Sequence, residues 1–303
     1  MLSRTMREAV SIIGAGRVGR ALGRRLRERG WKIGAVVTRD AVTARKAVRF
    51  IGAGQPYGAL TRQVLSASVL LVATPDHALP EVAEELGRIG AEELRRKAVL
   101  HTSGALDSRV FAGLRKFGAA AGSMHPLQSF SGVGVPPLEG LVFAVEGDAA
   151  ALRAARQIVR ALEGIPVRIS GEKKPFYHAA CALAAGHTLA VIEAATRLLI
   201  SIGMKRREAV RALLPLTRQV LENFEGLGPG KAWTGPLSRA DYDVIALHAA
   251  ALADFPHEFA AAHEALNRLG ALLFAREPAE VRRGLDRIFR EQRVLKTTTG
   301  GIA

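Results

Sequence analysis

Short apolar runs alternate with amphipathic stretches through the first half of the chain. The runs Ala9–Ile13, Ile33–Val37, Val69–Ala73, Ala98–His101, Ala119–Ser123, Leu141–Val145 and Val167–Ile169 have strand length and composition. Helical periodicity fills intervals such as Arg17–Arg29 and Leu79–Arg88. Strands that alternate with helices predict an α/β domain, a doubly wound and mostly parallel sheet with helices on its faces, over residues 1–170. After Gly171 the pattern becomes helical throughout. Pro175 stands where a first-turn proline belongs, and the periodicity predicts one long helix from it to about Ile202. The Gly/Pro-rich segment Gly226–Pro236 interrupts the helices, which resume from Asp241 to about Gln292, and Thr297–Ala303 reads as a frayed tail. Residues 171–303 are therefore expected to form an all-helical second domain.

The first strand runs straight into Gly14-Ala15-Gly16-Arg17-Val18-Gly19. In this strand–turn–helix setting Gly14 permits the tight turn and Gly16 lets the backbone approach a pyrophosphate. Gly19 allows close helix–strand packing, with the Arg17 and Val18 amides opening the helix. An NAD site usually ends its second strand in an acid. Here Thr38 and Arg39 stand there instead, a hydroxyl and a guanidinium suited to a 2′-phosphate, so NADP(H) is the expected dinucleotide. Asp40 reads as the N-cap of the next helix. Thr74 and Pro75, at the end of the Val69–Ala73 strand, are expected to wall the nicotinamide ribose, while His77 reads as an exposed loop histidine.

Two further strand ends carry polar clusters, His101-Thr102-Ser103-Gly104 and Ser123-Met124-His125-Pro126-Leu127-Gln128-Ser129. Both should emerge at the edge that holds the cofactor. Hydride transfer to or from a carbonyl carbon needs a proton relay to the oxygen, and histidine titrates near neutrality. His125 is a candidate for that role, or else a structural histidine that orders a Pro-containing turn. A third cluster, Glu172-Lys173-Lys174-Pro175-Phe176-Tyr177-His178, opens the helical region. At a helix N-terminus the macrodipole disfavours a cation, so Lys174 is expected to have a lowered pKa. His178 lies four residues on along the same face, with Cys181 beyond it. As a metal site the set is poor, because His187 falls on the opposite face and no acid completes it.

Composition narrows the partners. The 303 residues are 49% hydrophobic and 23% charged, as in an ordinary globular protein of two domains. The net charge of +15 raises the question of nucleic acid, but the arginines are scattered over helical stretches among acids, with few aromatics and no reading motif. A solvated basic surface is the expectation. A single cysteine, Cys181, and an N-terminus without an apolar core point to a reducing compartment, the cytoplasm. The apolar stretch Ala179–Ile200 contains His187, Glu193 and Arg197, which favours burial in a core or a homodimer interface over a membrane.

Taken in order, GAGRVG, HTSGALDSRVF, GSMHPLQSF, KKPFYHAA and GPGKAWTGPLSRAD resemble the bacterial Rossmann-like NADP oxidoreductases that carry a DUF2520 C-terminal domain, over about Ser11 to Leu252. That family is similar to the superfamily of 6-phosphogluconate dehydrogenase, pyrroline-5-carboxylate reductase, ketopantoate reductase, 3-hydroxyisobutyrate dehydrogenase and prephenate dehydrogenase. The resemblance implies homodimers packed through the helical domains. It implies that Ser103 and His125 approach a substrate hydroxyl, as in prephenate dehydrogenases. Lys174 stands where hydroxyisobutyrate-type enzymes place a catalytic lysine, with His178 in the position of their asparagine and Ala240 in place of a usual glycine. Hydride exchange with a small anionic carbonyl, imine, alcohol or amine is the expected reaction. Arg239 would anchor a carboxylate, and Asn223 and Thr234 would be further walls of the site. The alternative is a non-catalytic NADP(H)-binding sensor or scaffold.

Overall fold

The computed structural model describes residues 9–299, and their backbone divides into two compact units, Met1–His187 and Thr188–Ala303. The reading of Met1–Glu8 lies outside the described residues, as do the last four residues of the expected tail; 297–299 continue the final helix.

The first unit is built on one eight-stranded sheet in the order β3-β2-β1-β4-β5-β6-β7-β8. The strands are β1 (Ala9–Ile13), β2 (Lys32–Val37), β3 (Gln55–Tyr57), β4 (Val69–Val72), β5 (Ala98–His101), β6 (Ala120–Pro126), β7 (Val142–Gly147) and β8 (Ile165–Arg168). Every neighbouring pair is parallel except β6 and β7, so β7 and β8 run against the other six. The first six strands have the spatial order of a doubly wound dinucleotide fold, with the reversal of order between β1 and β4. Helices α1 (Arg17–Glu28), α2 (Ala41–Ile51), α3 (Leu79–Gly90), α4 (Ala112–Arg115) and α5 (Ala149–Ala161) flank the sheet.

Period-two alternation sends side chains to two separate cores. Val10 and Ile12 join Leu22 and Leu26 of α1 and Ile158 of α5 on one face. Ile13, Leu70 and Val72 join Leu79, Val82 and Leu86 of α3 on the other. Each fully buried aliphatic side chain contributes roughly 1.5–3 kcal/mol of burial free energy, which holds both helical layers on the sheet. Asp40 caps α2 as expected, its carboxylate accepting from the Thr43 amide at 2.7 Å.

Three expectations are corrected. The edge strand β3 was not foreseen, because its three residues, Gln55, Pro56 and Tyr57, carry no apolar run. Strand β6 continues to Pro126, so His125 is a strand residue paired with Ala144 and not part of a turn. The single helix expected from Pro175 is a succession of α6 (Lys174–Ala182), a π-helical turn at Leu183–His187 and α7 (Thr188–Ser201), with the unit boundary at the end of that turn.

The second unit is helical: α7, α8 (Arg206–Leu227), α9 (Pro229–Ala232), α10 (Tyr242–Ala251), α11 (His257–Phe274) and α12 (Pro278–Thr299). The helical region expected from Asp241 to about Gln292 divides at Pro256 and Pro278, which each precede or open a new helix. Its own core is small, formed by Leu237, Ile245, Ala271, Leu285, Ile288 and Phe289. Ala240 has φ 56°, the left-handed region where a Cβ is unfavourable and glycine is at ease. We therefore expect Ala240→Gly to stabilise the chain by up to about 1 kcal/mol, read as a rise in the urea midpoint at unchanged slope. A lowered midpoint would show that the extra backbone freedom outweighs the relieved strain.

Candidate functional site

The parallel strands β1, β2, β4, β5 and β6 all end at one edge of the first unit, and the functional candidates of that unit gather there. At the end of β1, Gly14 has φ 85°, and a Cβ on it would lie 2.6 Å from the Thr74 amide nitrogen. A Cβ on Gly19 would lie 2.5 Å from the Gly14 carbonyl oxygen, so the turn and the start of α1 close on each other only without side chains. Gly16 is different: it is exposed, and a Cβ there would meet nothing within 4 Å. The open space lies at the N-terminus of α1, where amides without intrahelical partners favour an anion. Arg17 beside it is exposed, and Val18 packs against the core. Arg20 donates to the Gly132 carbonyl at 2.6 Å and so draws the β6–β7 connection to this helix start.

At the end of β2 the Thr38 hydroxyl donates to the Asp40 carbonyl at 2.8 Å, and Arg39 is exposed with no ion-pair partner among the described residues. The Thr74 hydroxyl, following β4, is buried without a hydrogen-bond partner, and Pro75 is exposed. His77 is exposed, as expected.

The ends of β5 and β6 are tied together by Lys174. The lysine has no exposed surface, and its Nζ donates to the Ser103 carbonyl and to the Ser123 hydroxyl, both at 2.7 Å. Burial pushes its amine down to about 8, although Glu146, Asp107 and Asp76 act in the opposite direction. The pKa is lowered as the sequence implies, but desolvation is the main cause. The Ser103 hydroxyl donates to Asp76 at 2.9 Å and accepts from the Ala105 and Leu106 amides at 3.2 and 2.9 Å. It is thus fully engaged by the protein. His125 is half-buried, and its Nδ1 lies 2.8 Å from the Tyr177 hydroxyl. Desolvation, then the charge of Lys174, hold its pKa at about 4, so the imidazole is neutral at physiological pH. His178 is exposed and meets the His125 ring edge-on, centroids 5.9 Å apart. Both rings close over Gly104, where a Cβ would lie 2.5 Å from His178 Cδ2 and 2.9 Å from His125 Nε2. Behind them His101 is buried, its Nε2 without a partner, and desolvation lowers its pKa to about 3.

Ser103, His125, Lys174 and His178 therefore come together in the first unit. Asn223, Thr234 and Arg239 belong to the second: Asn223 accepts from the Gln219 side chain at 3.1 Å, while Thr234 and Arg239 are exposed. Tyr177 and Asp76 were not singled out from the sequence. The helical spacing of 174, 177, 178 and 181 was the available signal for Tyr177; none pointed to Asp76. Among the described residues no group of three or more His, Cys, Asp or Glu could hold a metal ion.

Residues 2–126 match the model of the Rossmann-like domain. Residues 141–269 match a domain of unknown function, DUF2520, so the chain carries a Rossmann-like domain followed by a DUF2520 domain. BF3122 from Bacteroides fragilis, assigned as an NADP oxidoreductase, is similar in structure, with a TM-score of 0.70 at 23% identity over 87% of this chain and 97% of its own. Protein TM1727 from Thermotoga maritima superposes with a TM-score of 0.64 at 24% identity, over 90% and 99% of the two chains. A reductive aminase from Aspergillus terreus, solved with NADPH and ethyl-5-oxohexanoate, gives a TM-score of 0.61 at 18% identity, over 94% of each. At these identities the likeness is one of fold. No curated protein matches the sequence.

The two neutral histidines make stability pH-dependent. Unfolded, each takes up a proton near pH 6.5; folded, His125 and His101 resist it until about pH 4 and about pH 3. The unfolded chain therefore binds more protons in that window, and the contribution of the two histidines to stability is full above pH 6.5 and declines as pH falls through it, by several kcal/mol in total. The substitution His101→Asn keeps an acceptor for the Ser103 amide and should flatten the decline, measured by urea denaturation between about pH 7 and pH 4.5. An unaltered slope would rule out His101 as its source.

Proposed function

We propose that this chain is an NADP(H)-dependent oxidoreductase that exchanges hydride with a small, anionic carbonyl, imine, alcohol or amine. The observation that carries the reading is the shared edge: the glycine turn, Thr38, Arg39, Thr74 and Gly104 follow parallel strands that end on the same side of one sheet, and His125 lies in the last residues of β6 on that side, where doubly wound folds bind ligands. The exposed Gly16 turn fits a pyrophosphate, the orphaned Thr74 hydroxyl fits a polar group of a ligand, and the unpaired Arg39 fits a 2′-phosphate. Thr38 would join Arg39 by turning its hydroxyl from the Asp40 carbonyl. Bound there, the reduced dinucleotide would supply the hydride. His125 handles hydrogen bonding and protons at the reacting oxygen or nitrogen, and Lys174 holds the two strand ends in register. The fold neighbours assigned as an NADP oxidoreductase or solved with NADPH support the same reading.

A second reading, a sensor or scaffold that binds NADP(H) without turnover, draws on two observations. Lys174 is wholly buried, and the Ser103 hydroxyl has no bond left to offer a substrate. Following the loss of NADPH absorbance against a panel of carbonyl and imine acids separates the two. Turnover lowered about 10²–10⁴-fold in His125→Gln, with NADPH affinity kept, is the expected result; an inert wild type would favour the sensor.

Cofactor choice has its own test. NADP(H) is expected to bind about tenfold or more tightly than NAD(H), and Arg39→Asp to reverse that order by calorimetry. An unchanged preference would refute the role of Arg39.

The working form we propose is a cytoplasmic homodimer joined through the helical unit. Leu216, Val220, Phe224 and Leu227 form one exposed stripe along α8, and Leu189, Leu247 and Leu272 are each about two-thirds exposed. Length and composition alone would let Gly171–Ser201 cross a membrane, yet that run opens with Lys174 and Tyr177 bonded to residues of the sheet edge. A second copy is the partner these facts favour. Light scattering on the eluting protein should give twice the chain mass, and a monomer at micromolar concentration would reject the proposal.

A further inference from the structure

We infer that Tyr177 is a positioning residue that fixes His125 as the tautomer with its proton on Nε2, so that the site offers a hydrogen-bond donor and selects a neutral carbonyl oxygen over a protonated imine. The inference rests on the reading of His125 as the group that meets the reacting atom.

The geometry begins with α6. Lys174, Tyr177, His178 and Cys181 share one face at helical spacing, and that face meets the ends of β5 and β6. Lys174 buries its ammonium against Ser103 and Ser123 and so sets the height and rotation of the helix. With the helix fixed, the Tyr177 hydroxyl stands 2.8 Å from His125 Nδ1, and the two rings cross edge-on at 87°. Both partners are uncharged. Burial, and the Cys181 side chain beside it, raise the pKa of the phenol, and burial with the charge of Lys174 keeps the imidazole unprotonated.

Two neutral groups at that distance leave one question, which of them donates. The phenol proton has two acceptors within reach, the Cys181 sulfur and the His125 nitrogen. A thiol sulfur is a weak acceptor and an imidazole lone pair a strong one, so the hydroxyl donates to Nδ1. The ring proton must then lie on Nε2. That nitrogen lies beside Gly104, 2.9 Å from where a Cβ would stand, and no described side chain accepts from it. A neutral imidazole N–H can polarise a carbonyl as an imidazolium would, without a proton taken from solution. A protonated imine has no lone pair to accept that N–H, and the nearby Lys174 ammonium repels its charge. The substrate class at this site is therefore an aldehyde or ketone, or the alcohol in the reverse direction.

The test reads the tautomer without any substrate. Full-length protein labelled with ¹⁵N-histidine, with the His125 signals assigned from a His125→Gln sample, should show one protonated and one lone-pair nitrogen for His125 from about pH 5 to pH 8, the proton on Nε2. The variant Tyr177→Phe should lose that single form and give a mixture, while the other seven of the eight histidines keep their signals as evidence of an intact fold. A proton on Nδ1 in the wild type, or an unchanged tautomer in Tyr177→Phe, would overturn the inference. In turnover, a carbonyl acid should outpace its iminium counterpart, and Tyr177→Phe should lower kcat roughly tenfold with little change in KM. Preference for the iminium would overturn the substrate class. Absence of turnover with either class would overturn the oxidoreductase reading instead, since the tautomer is measured on the protein alone.

Discussion

A single buried ammonium organises this edge of the sheet. Lys174 donates to a carbonyl at the end of β5 and to a hydroxyl on β6, and no water reaches it. Removing a lysine from water is costly unless it is hydrogen-bonded and faces opposite charge, and here two oxygens and three carboxylates, Glu146, Asp107 and Asp76, meet that condition in part. The amine still titrates well below an ordinary lysine. Its charge in turn helps to keep His101 and His125 neutral. One side chain thus couples the position of α6, the spacing of two strand ends and the protonation of two imidazoles.

Such coupling has a structural consequence for the neighbouring hydroxyls. With its carbonyl held by Lys174, Ser103 turns its side chain back to the Asp76 carboxylate and receives two backbone amides. The serine stabilises the loop after β5 and holds Asp76 near the lysine. His125, by contrast, keeps one nitrogen without a hydrogen-bond partner among the described residues. The division of labour between the two follows from hydrogen-bond saturation rather than from residue type.

Much of this was legible in the sequence wherever one local rule acts alone. Strands β1 and β5 appear with the ends that their apolar runs imply, Asp40 caps α2, and the glycine turn sits between β1 and α1. Legibility fails where two rules compete. Strand β3 contains a proline and a glutamine and exists because an edge beside β2 was available. The tail of β6 mixes Ser123, His125 and Pro126 with apolar residues, and its pairing with β7 overrides the turn chemistry of its proline. The gathering of Ser103, His125, Lys174 and His178 was anticipated. What no pattern could supply is the set of partners, since the His125–Tyr177 contact spans 52 positions and the Ser103–Asp76 contact 27.

Glycines along this edge serve opposite purposes, which separates where a ligand can enter from where the protein closes on itself. At Gly14 and Gly19 a side chain would strike backbone, so those positions are filled by the fold. At Gly16 a side chain would meet nothing, so the space belongs to whatever binds at the start of α1. Gly104 lies between these cases: the atoms that a Cβ would strike are the edges of two imidazoles, one of them exposed and neither locked by backbone. A substituent there would force His125 and His178 apart, whereas the bare Cα lets both rings converge. The missing side chain at 104 is therefore what allows a neutral His125 to present its free nitrogen beside a second imidazole, on the same edge as the open turn at Gly16.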